Sequence, residues 1–327
     1  MPLFVVALTS GTAALGQSQP ASAPQARLTA DPRPVLYVSF TMDCERIESE
    51  CMAGGPPTWE LSEKAIRGYC QTLLDARIRP TLFIVPECGQ QHASAFRELA
   101  QRGVELGMHL HPQCFQDHRY SKYLGEYDAA TQQELIGRAA GILKDALGVE
   151  PKAFRGGNFS ASDDTFAVLD ALGFRHGSIS DPGRDAPQYH AVWKGTVVDP
   201  HWAHARDRLK PGQLRFLEVP LTTDPQRRHP NGFPYELRIE SGEFERWHRP
   251  IIEAALARME ADRPRLRVLS IFTHNYFDYS NPEAVQSRTL QGYIAYIKQL
   301  RRRFRVVGAT LADIRDAFVA AEKERPS

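Results

Sequence analysis

The stretch VLYVSFTMDCE, residues 35–45, decides how this chain is read. Val35 to Phe40 is a short apolar run, which predicts a strand buried on both faces, as in a parallel sheet covered by helices. Asp43 and Glu45 follow two residues apart, so in extended chain both carboxylates face the same way. Carboxylates that close favour either a bound cation or one raised pKa. An ordinary acidic loop is the plainer alternative.

Working outward, the strand–helix alternation continues. A helix opened by Ser62 carries Ile66, Tyr69, Cys70, Leu73 and Leu74 on one face and leads to a strand at Thr81–Val85. A helix over 93–102 ends at Gly103, a left-handed cap, and leads to a strand over 104–111. Next come a helix over 131–147, a short strand at Ala153–Phe154, and a helix capped by Ser162 with Asp163 and Asp164 in its first turn. Residues 183–213 lack periodicity and read as loops and short strands on one face. Strands over 214–221 and 268–273 flank a helix near 244–259, and the end reads as a helix over 282–303, a strand over 305–307 and a helix from Leu311. Seven or so strands alternating with helices, with no internal repeat and no second linker, predict one barrel-like α/β domain over 35–327.

Composition narrows the partners. Among 327 residues, 40 Lys+Arg stand against 39 Asp+Glu, a net charge of +1 that argues against nucleic acid as partner. A small molecule or an uncharged polymer is the expected substrate. Residues 1–34 form a leader and linker. Met1 to Leu15 is apolar, Ala21-Ser22-Ala23 resembles a cleavage site, and no Lys or Arg precedes Arg27. Export with a signal peptide and a disordered leader are the two readings. Gln17 to Pro34 is rich in Ala, Pro, Ser and Gln, as linkers are. No later run approaches the ~18 apolar residues of a membrane span. The five cysteines (Cys44, Cys51, Cys70, Cys88 and Cys114) show no Cys-x-x-Cys spacing and read as mostly buried thiols, with a local Cys44–Cys51 disulfide open to an exported protein.

In a parallel barrel, chemistry gathers where strands end. His109 and His111 end the strand over 104–111; at i, i+2 they project from one side and can share a metal. Arg155 after Phe154 can hold a catalytic carboxylate by a bidentate pair, and Gly156-Gly157 allow close backbone approach. His274 ends an apolar strand, placed for general-acid work near neutral pH. Singly, each has a plain structural reading: an acidic loop, a core histidine, a surface arginine at a turn. Together they point to one site.

The segments SFTMDCE (39–45), ELGMHLHPQ (105–113), FRGGN (154–158) and LSIFTHN (269–275), in that order, resemble the motifs of the polysaccharide deacetylase superfamily, carbohydrate esterase family 4. The resemblance spans roughly Val35 to Ala317. It implies a distorted (β/α)7-type barrel with the site in an open groove, and a divalent metal held by Glu45, His109 and His111. Zinc suits those ligands first; cobalt, nickel and iron also fit. It further implies Asp43 as general base, Arg155 orienting Asp43, and His274 protonating the leaving group.

The chain departs from the family pattern in three places. The family's second metal histidine falls at Gln113, so His111, Gln113 or His118 completes the ligand set. Glu45 stands where Asp is commoner, and Asn158 stands where an aromatic residue often lines the oxyanion pocket. Trp193, Asp199, Trp202 and Glu218 are the candidates for the family's fourth motif. The implied activity is removal of N- or O-linked acetyl groups from a glycan or glycoconjugate. The alternatives are a C–N hydrolase of ureides or other small amides, and a degenerate barrel that binds carbohydrate without turnover.

Overall fold

The computed structural model describes residues 1–2 and 31–323, so the leader reading of residues 3–30 lies outside the described residues. Arg33–Ser327 forms one unit.

In chain order the strands are β1 (Val35–Cys44), β2 (Thr81–Ile84), β3 (Glu105–Leu110), β4 (Ala153–Gly156), β5 (His176–Gly177), the paired β6 (Asp185–Ala186) and β7 (Ala191–Val192), then β8 (His201–Trp202), β9 (Leu217–Glu218), the paired β10 (Thr223–Arg228) and β11 (Pro234–Glu236), β12 (Arg267–His274) and β13 (Arg305–Gly308). The helices are α1 (Trp59–Asp75), α2 (Pro86–Gln91), α3 (Ala93–Gln101), α4 (Ala129–Leu147), α5 (Thr165–Ala171), α6 (Arg249–Asp262), α7 (Val285–Leu300) and α8 (Leu311–Lys323).

The main sheet runs in the order β12-β1-β2-β3-β4-β5-β9-β8, with β13 against β1. All its pairings are parallel except β8 with β9. Between β9 and β12 a regular ladder gives way to single bonds: the Thr222 N–H donates to the Ser270 carbonyl at 3.2 Å, and the Thr222 hydroxyl accepts from the Ser270 N–H at 2.9 Å. Eight parallel strands, β13 included, thus curl into the distorted barrel that the resemblance implied.

Alternation along β1 separates two apolar layers. Leu36, Val38, Phe40, Met42 and Cys44 pack outward with Ile66, Tyr69, Cys70 and Leu73 of α1. Tyr37 belongs instead to an inner layer of Phe83, Ala153, Leu217 and Val268, closed by Leu311, Ile314 and Phe318 of α8. This period of two sends Thr41 and Asp43 inward as well. Parallel register then sets Asp43 beside His274 and His109 beside Arg155.

Several boundaries differ from the sequence reading for local reasons. α1 starts at Trp59, where the Thr58 hydroxyl accepts the Leu61 N–H at 3.2 Å; Ser62 is buried and serves tertiary contacts. α5 starts at Thr165, one turn after Ser162, whose own N–H donates to the Thr165 hydroxyl at 2.9 Å. The expected strand over 214–221 is regular only at Leu217–Glu218. The α3 stop does fall at Gly103, at φ 87°. The β10–β11 hairpin sits in a stretch rich in Pro, Arg and Asp that showed no alternation. Cys51 is bonded to Cys114 rather than to Cys44. Cys44 ends β1 with its thiol in the outer apolar layer, whereas Cys51 and Cys114 lie on the loops that follow β1 and β3. Among the described residues, no helix is long and apolar enough to cross a membrane.

Candidate metal centre

Asp43, Glu45, His109, His111 and His274 line one cavity of about 490 Å³, walled in part by the β10–β11 hairpin through His229, Asn231 and Phe233.

At its base three ligand atoms, from Glu45, His109 and His111, lie within 4.8 Å of one another, all on buried residues. His109 Nδ1 is 2.9 Å from the Arg155 carbonyl oxygen; that oxygen can only accept, so Nδ1 carries the hydrogen. In the neutral ring Nε2 then presents a lone pair to Glu45 Oε1, 3.1 Å away. His111 Nε2 approaches the same oxygen, also at 3.1 Å. Two imidazoles and a carboxylate meeting this way are stable only with positive charge between them, from a proton or a metal ion. Glu45 Oε2 is buried without a hydrogen-bond partner, a further vacant lone pair. The donor set, two histidines and one carboxylate, is one that zinc takes in catalytic sites. The residues present therefore fit a divalent cation.

The electrostatics agree. Burial raises the Glu45 carboxyl, but His111 and then His109 outweigh it and hold it well below the carboxylate range. Burial lowers His109, but Glu45 and Asp43 outweigh it and hold the imidazole above its ordinary value.

Of the three candidates for the further ligand, His111 joins the cluster. A Cβ on Gly157 would lie 2.4 Å from His111 Nδ1, so the second glycine of FRGGN makes room for this ring. Gln113 stands behind it, its Nε2 at 3.4 Å from His111 Nδ1. His118 is exposed and outside the cluster.

Arg155 is fully buried. It donates to Asp43 Oδ1 at 2.7 Å, the Thr41 hydroxyl at 3.0 Å and the Ser178 carbonyl at 2.8 Å, and its guanidinium lies 4.3 Å from the Phe83 ring centre. The pair is thus not bidentate as expected, because Nη1 is shared with Thr41: one Asp43 oxygen is fixed, while Oδ2 lies 4.0 Å from His274 Nε2.

Two members were not legible in the sequence. Glu240 comes from a single turn at Ile239–Ser241 and sits 2.5 Å from His274 Nδ1, with its other oxygen accepting from Thr273 at 2.7 Å. Burial raises the Glu240 carboxyl, but His274 and Arg238 outweigh it and hold it below its ordinary value. No periodicity or motif marks that turn. Asn275, fully buried, accepts the Glu45 N–H at 2.9 Å, donates to the Glu45 carbonyl at 3.1 Å and to Ser62 at 2.8 Å. Its place directly after His274 was its only signal.

The fourth-motif candidates separate. The Trp193 indole donates to the Phe159 carbonyl at 2.8 Å, beside the site. Glu218 accepts two backbone N–H groups and the Ser180 hydroxyl. Asp199 pairs with Arg258, and Trp202 packs on Phe318. Asn158 lines the cavity in a left-handed conformation, φ 54°, its Oδ1 without a partner.

Comparison with known proteins agrees with this fold. Residues 56–177 match the family model for polysaccharide deacetylase, a stretch that holds His109, His111 and Arg155; Asp43, Glu45 and His274 lie beyond its ends. A Mycobacterium smegmatis protein described as a polysaccharide deacetylase shares the fold at TM-score 0.58 and 16% identity, over 94% of this chain and 96% of its own. The allantoinase Puue shares it at 0.55 and 18%, over 87% and 90%. A protein of Parabacteroides distasonis described as a glycoside hydrolase/deacetylase does so at 0.61 and 12%, over 90% and 72%. At these identities the likeness is one of fold. No curated protein matches the sequence. The superfamily resemblance read from the sequence is borne out.

Proposed function

We propose that the chain is a divalent-metal-dependent deacetylase that removes N- or O-linked acetyl groups from a glycan or glycoconjugate. The observation that carries this reading is the convergence of Glu45, His109 and His111 on one point, with Asp43 and His274 facing the same cavity. A bound divalent cation supplies Lewis acidity, polarising the acyl oxygen and bringing water toward its ionised form near neutral pH.

The side chains divide the remaining work. Arg155 occupies Asp43 Oδ1 and favours the charged carboxylate, which leaves Oδ2 as the base that takes a proton from the attacking water. His274 hands its Nε2 proton to the departing amine or alkoxide, while Glu240 on Nδ1 fixes the ring. Asn275 holds the backbone of Glu45 from both sides, so its carboxylate is presented without rearrangement. The Cys51–Cys114 bond ties the loop after Glu45 to the loop after His111, and such bonds persist in oxidising compartments, in keeping with an exported protein.

The test is acetate release from acetylated chito-oligosaccharides and acetylated xylan by the full chain supplied with zinc or cobalt. Release well above the metal-free rate supports the reading. No release on any glycan, with turnover of a cyclic ureide instead, would favour the second reading, a small-amide hydrolase. A chain that binds sugars and releases nothing would be the degenerate barrel.

A further inference from the structure

Arg184 lines the same cavity as Asp43 and His111 and is only 5% exposed. Its guanidinium lies 4.4 Å from the Phe233 ring centre and 5.3 Å from that of Phe159. Its hydrogen bond to a carboxylate, from Nη1 to Asp181 Oδ2, measures 3.2 Å, long for a charge-assisted bond. Its Nε is buried and has no partner.

Asp181, the carboxylate partner of Arg184, is fully buried. It stands beside Glu236, whose carboxylate is taken by Arg238 Nε at 2.6 Å. Burial, and then Glu236, push the Asp181 carboxyl well above its ordinary value. Burial also raises Glu236, but Arg238 and the bond to Asp181 outweigh it and bring it down. Glu240, the next acid along this wall, is engaged by His274 and Thr273. Arg184 is left as a buried cation with one long bond to a carboxylate and an unpartnered Nε, which is costly unless a further anion supplies charge. The opening available to that anion is the cavity itself.

The geometry points to Arg184 as an anion subsite that takes the carboxylate of an acidic acylated sugar whose acyl group lies at Glu45, His109 and His111. This rests on the deacetylase reading and deepens it by naming the substrate class. A sugar lacking the carboxylate leaves Arg184 with its long bond to Asp181 alone and binds more weakly.

The probes are N-acetylmuramic acid and its methyl ester, which differ in one carboxylate charge. Binding of each to the zinc-supplied full chain is measured by calorimetry, and acetate is assayed in the same samples. The acid should bind about tenfold or more tighter than the ester, the scale of one hydrogen-bonded charge. In Arg184→Gln that preference should fall below about threefold, and Arg184→Lys, which keeps charge at that depth, should restore part of it. Equal binding of acid and ester by the unaltered chain, no binding of the acid, or a preference that survives Arg184→Gln overturns the subsite. If Arg184→Gln fails to fold, the acid–ester comparison in the unaltered chain and in Arg184→Lys decides the matter. An Arg184-dependent preference with no acetate from either probe upholds the subsite and removes the deacetylase reading. Acetate from both at equal rates and affinities does the reverse.

Discussion

Arg155 and Asp43 form the buried ion pair on which the geometry of the proposed base depends, and a double-mutant cycle measures it. Arg155→Met replaces a fully buried guanidinium with an apolar chain of similar length, removing its bonds to Asp43 at 2.7 Å, Thr41 at 3.0 Å and Ser178 at 2.8 Å. Asp43, 3% exposed, is then a buried carboxylate without its cation. Breaking a buried pair from one side costs about 3–5 kcal/mol. Asp43→Asn costs less, about 1–3 kcal/mol, because Arg155 keeps two acceptors and ring contacts with Phe83. Charges about 4 Å apart at an effective dielectric constant of about 20 attract by about 4 kcal/mol before desolvation, so a net coupling of about 2 kcal/mol is expected. The double variant should therefore be more stable than the sum of the singles predicts by about that amount. Urea unfolding of the four chelator-treated proteins, extrapolated linearly, gives the values. Additivity within about 0.5 kcal/mol would refute the coupling. So would an Arg155→Met protein as stable as its parent.

Three further outcomes are expected. Glu45→Gln should weaken zinc binding, measured calorimetrically, by more than the about 10–100-fold that loss of an outer partner of a metal ligand costs; an unchanged affinity would take Glu45 out of the ligand set. Burial lowers the His248 pKa to about 4, against about 6.5 in the unfolded chain, so protons bind the unfolded chain first as pH falls. Stability from this group is complete above pH ~6.5 and is lost on descending toward pH ~4, about 2 kcal/mol of it by pH 5; His248→Gln should lose correspondingly less between pH 7.5 and 5 in urea titrations, and an identical loss would contradict this. Removing the Cys51–Cys114 bond, which spans 63 residues, by Cys51→Ser with Cys114→Ser should cost about 4 kcal/mol on the chain-entropy relation, read as a lowered urea midpoint; no shift would mean that the unfolded chain is not restrained by it.

How much of this was legible in the sequence followed burial. β1, β2 and β12 lie inside a sheet covered on both sides, and their continuous apolar runs announced them. Because parallel strands start from a common end, the residues following those runs fall together, and Asp43, Glu45, His109, His111, Arg155 and His274 do meet in space. Glu240, Asn275 and Arg184 were missed because their places depend on packing between distant segments: Glu240 reaches His274 from a turn 34 residues earlier in the chain. The Cys51–Cys114 pairing was obscured for the same reason, since Cys44 is nearer to Cys51 in sequence but faces the core. Ser62 and Ser162 are good caps by type, yet Thr58 and Asp164 precede the helices instead. The β10–β11 hairpin is polar on its exposed side and carries no alternation to read. The wall that it adds to the cavity therefore came only with the structure.

The most direct test of the metal-dependent deacetylase reading is acetate release by the chelator-stripped chain as zinc is added back in known amounts. Release on an acetylated glycan should rise from background, level off near one equivalent of zinc per chain, and stay at background throughout in His109→Ala with His111→Ala. Acetate release that is already complete in the stripped protein, or a chain that takes up no zinc and releases nothing, would contradict it.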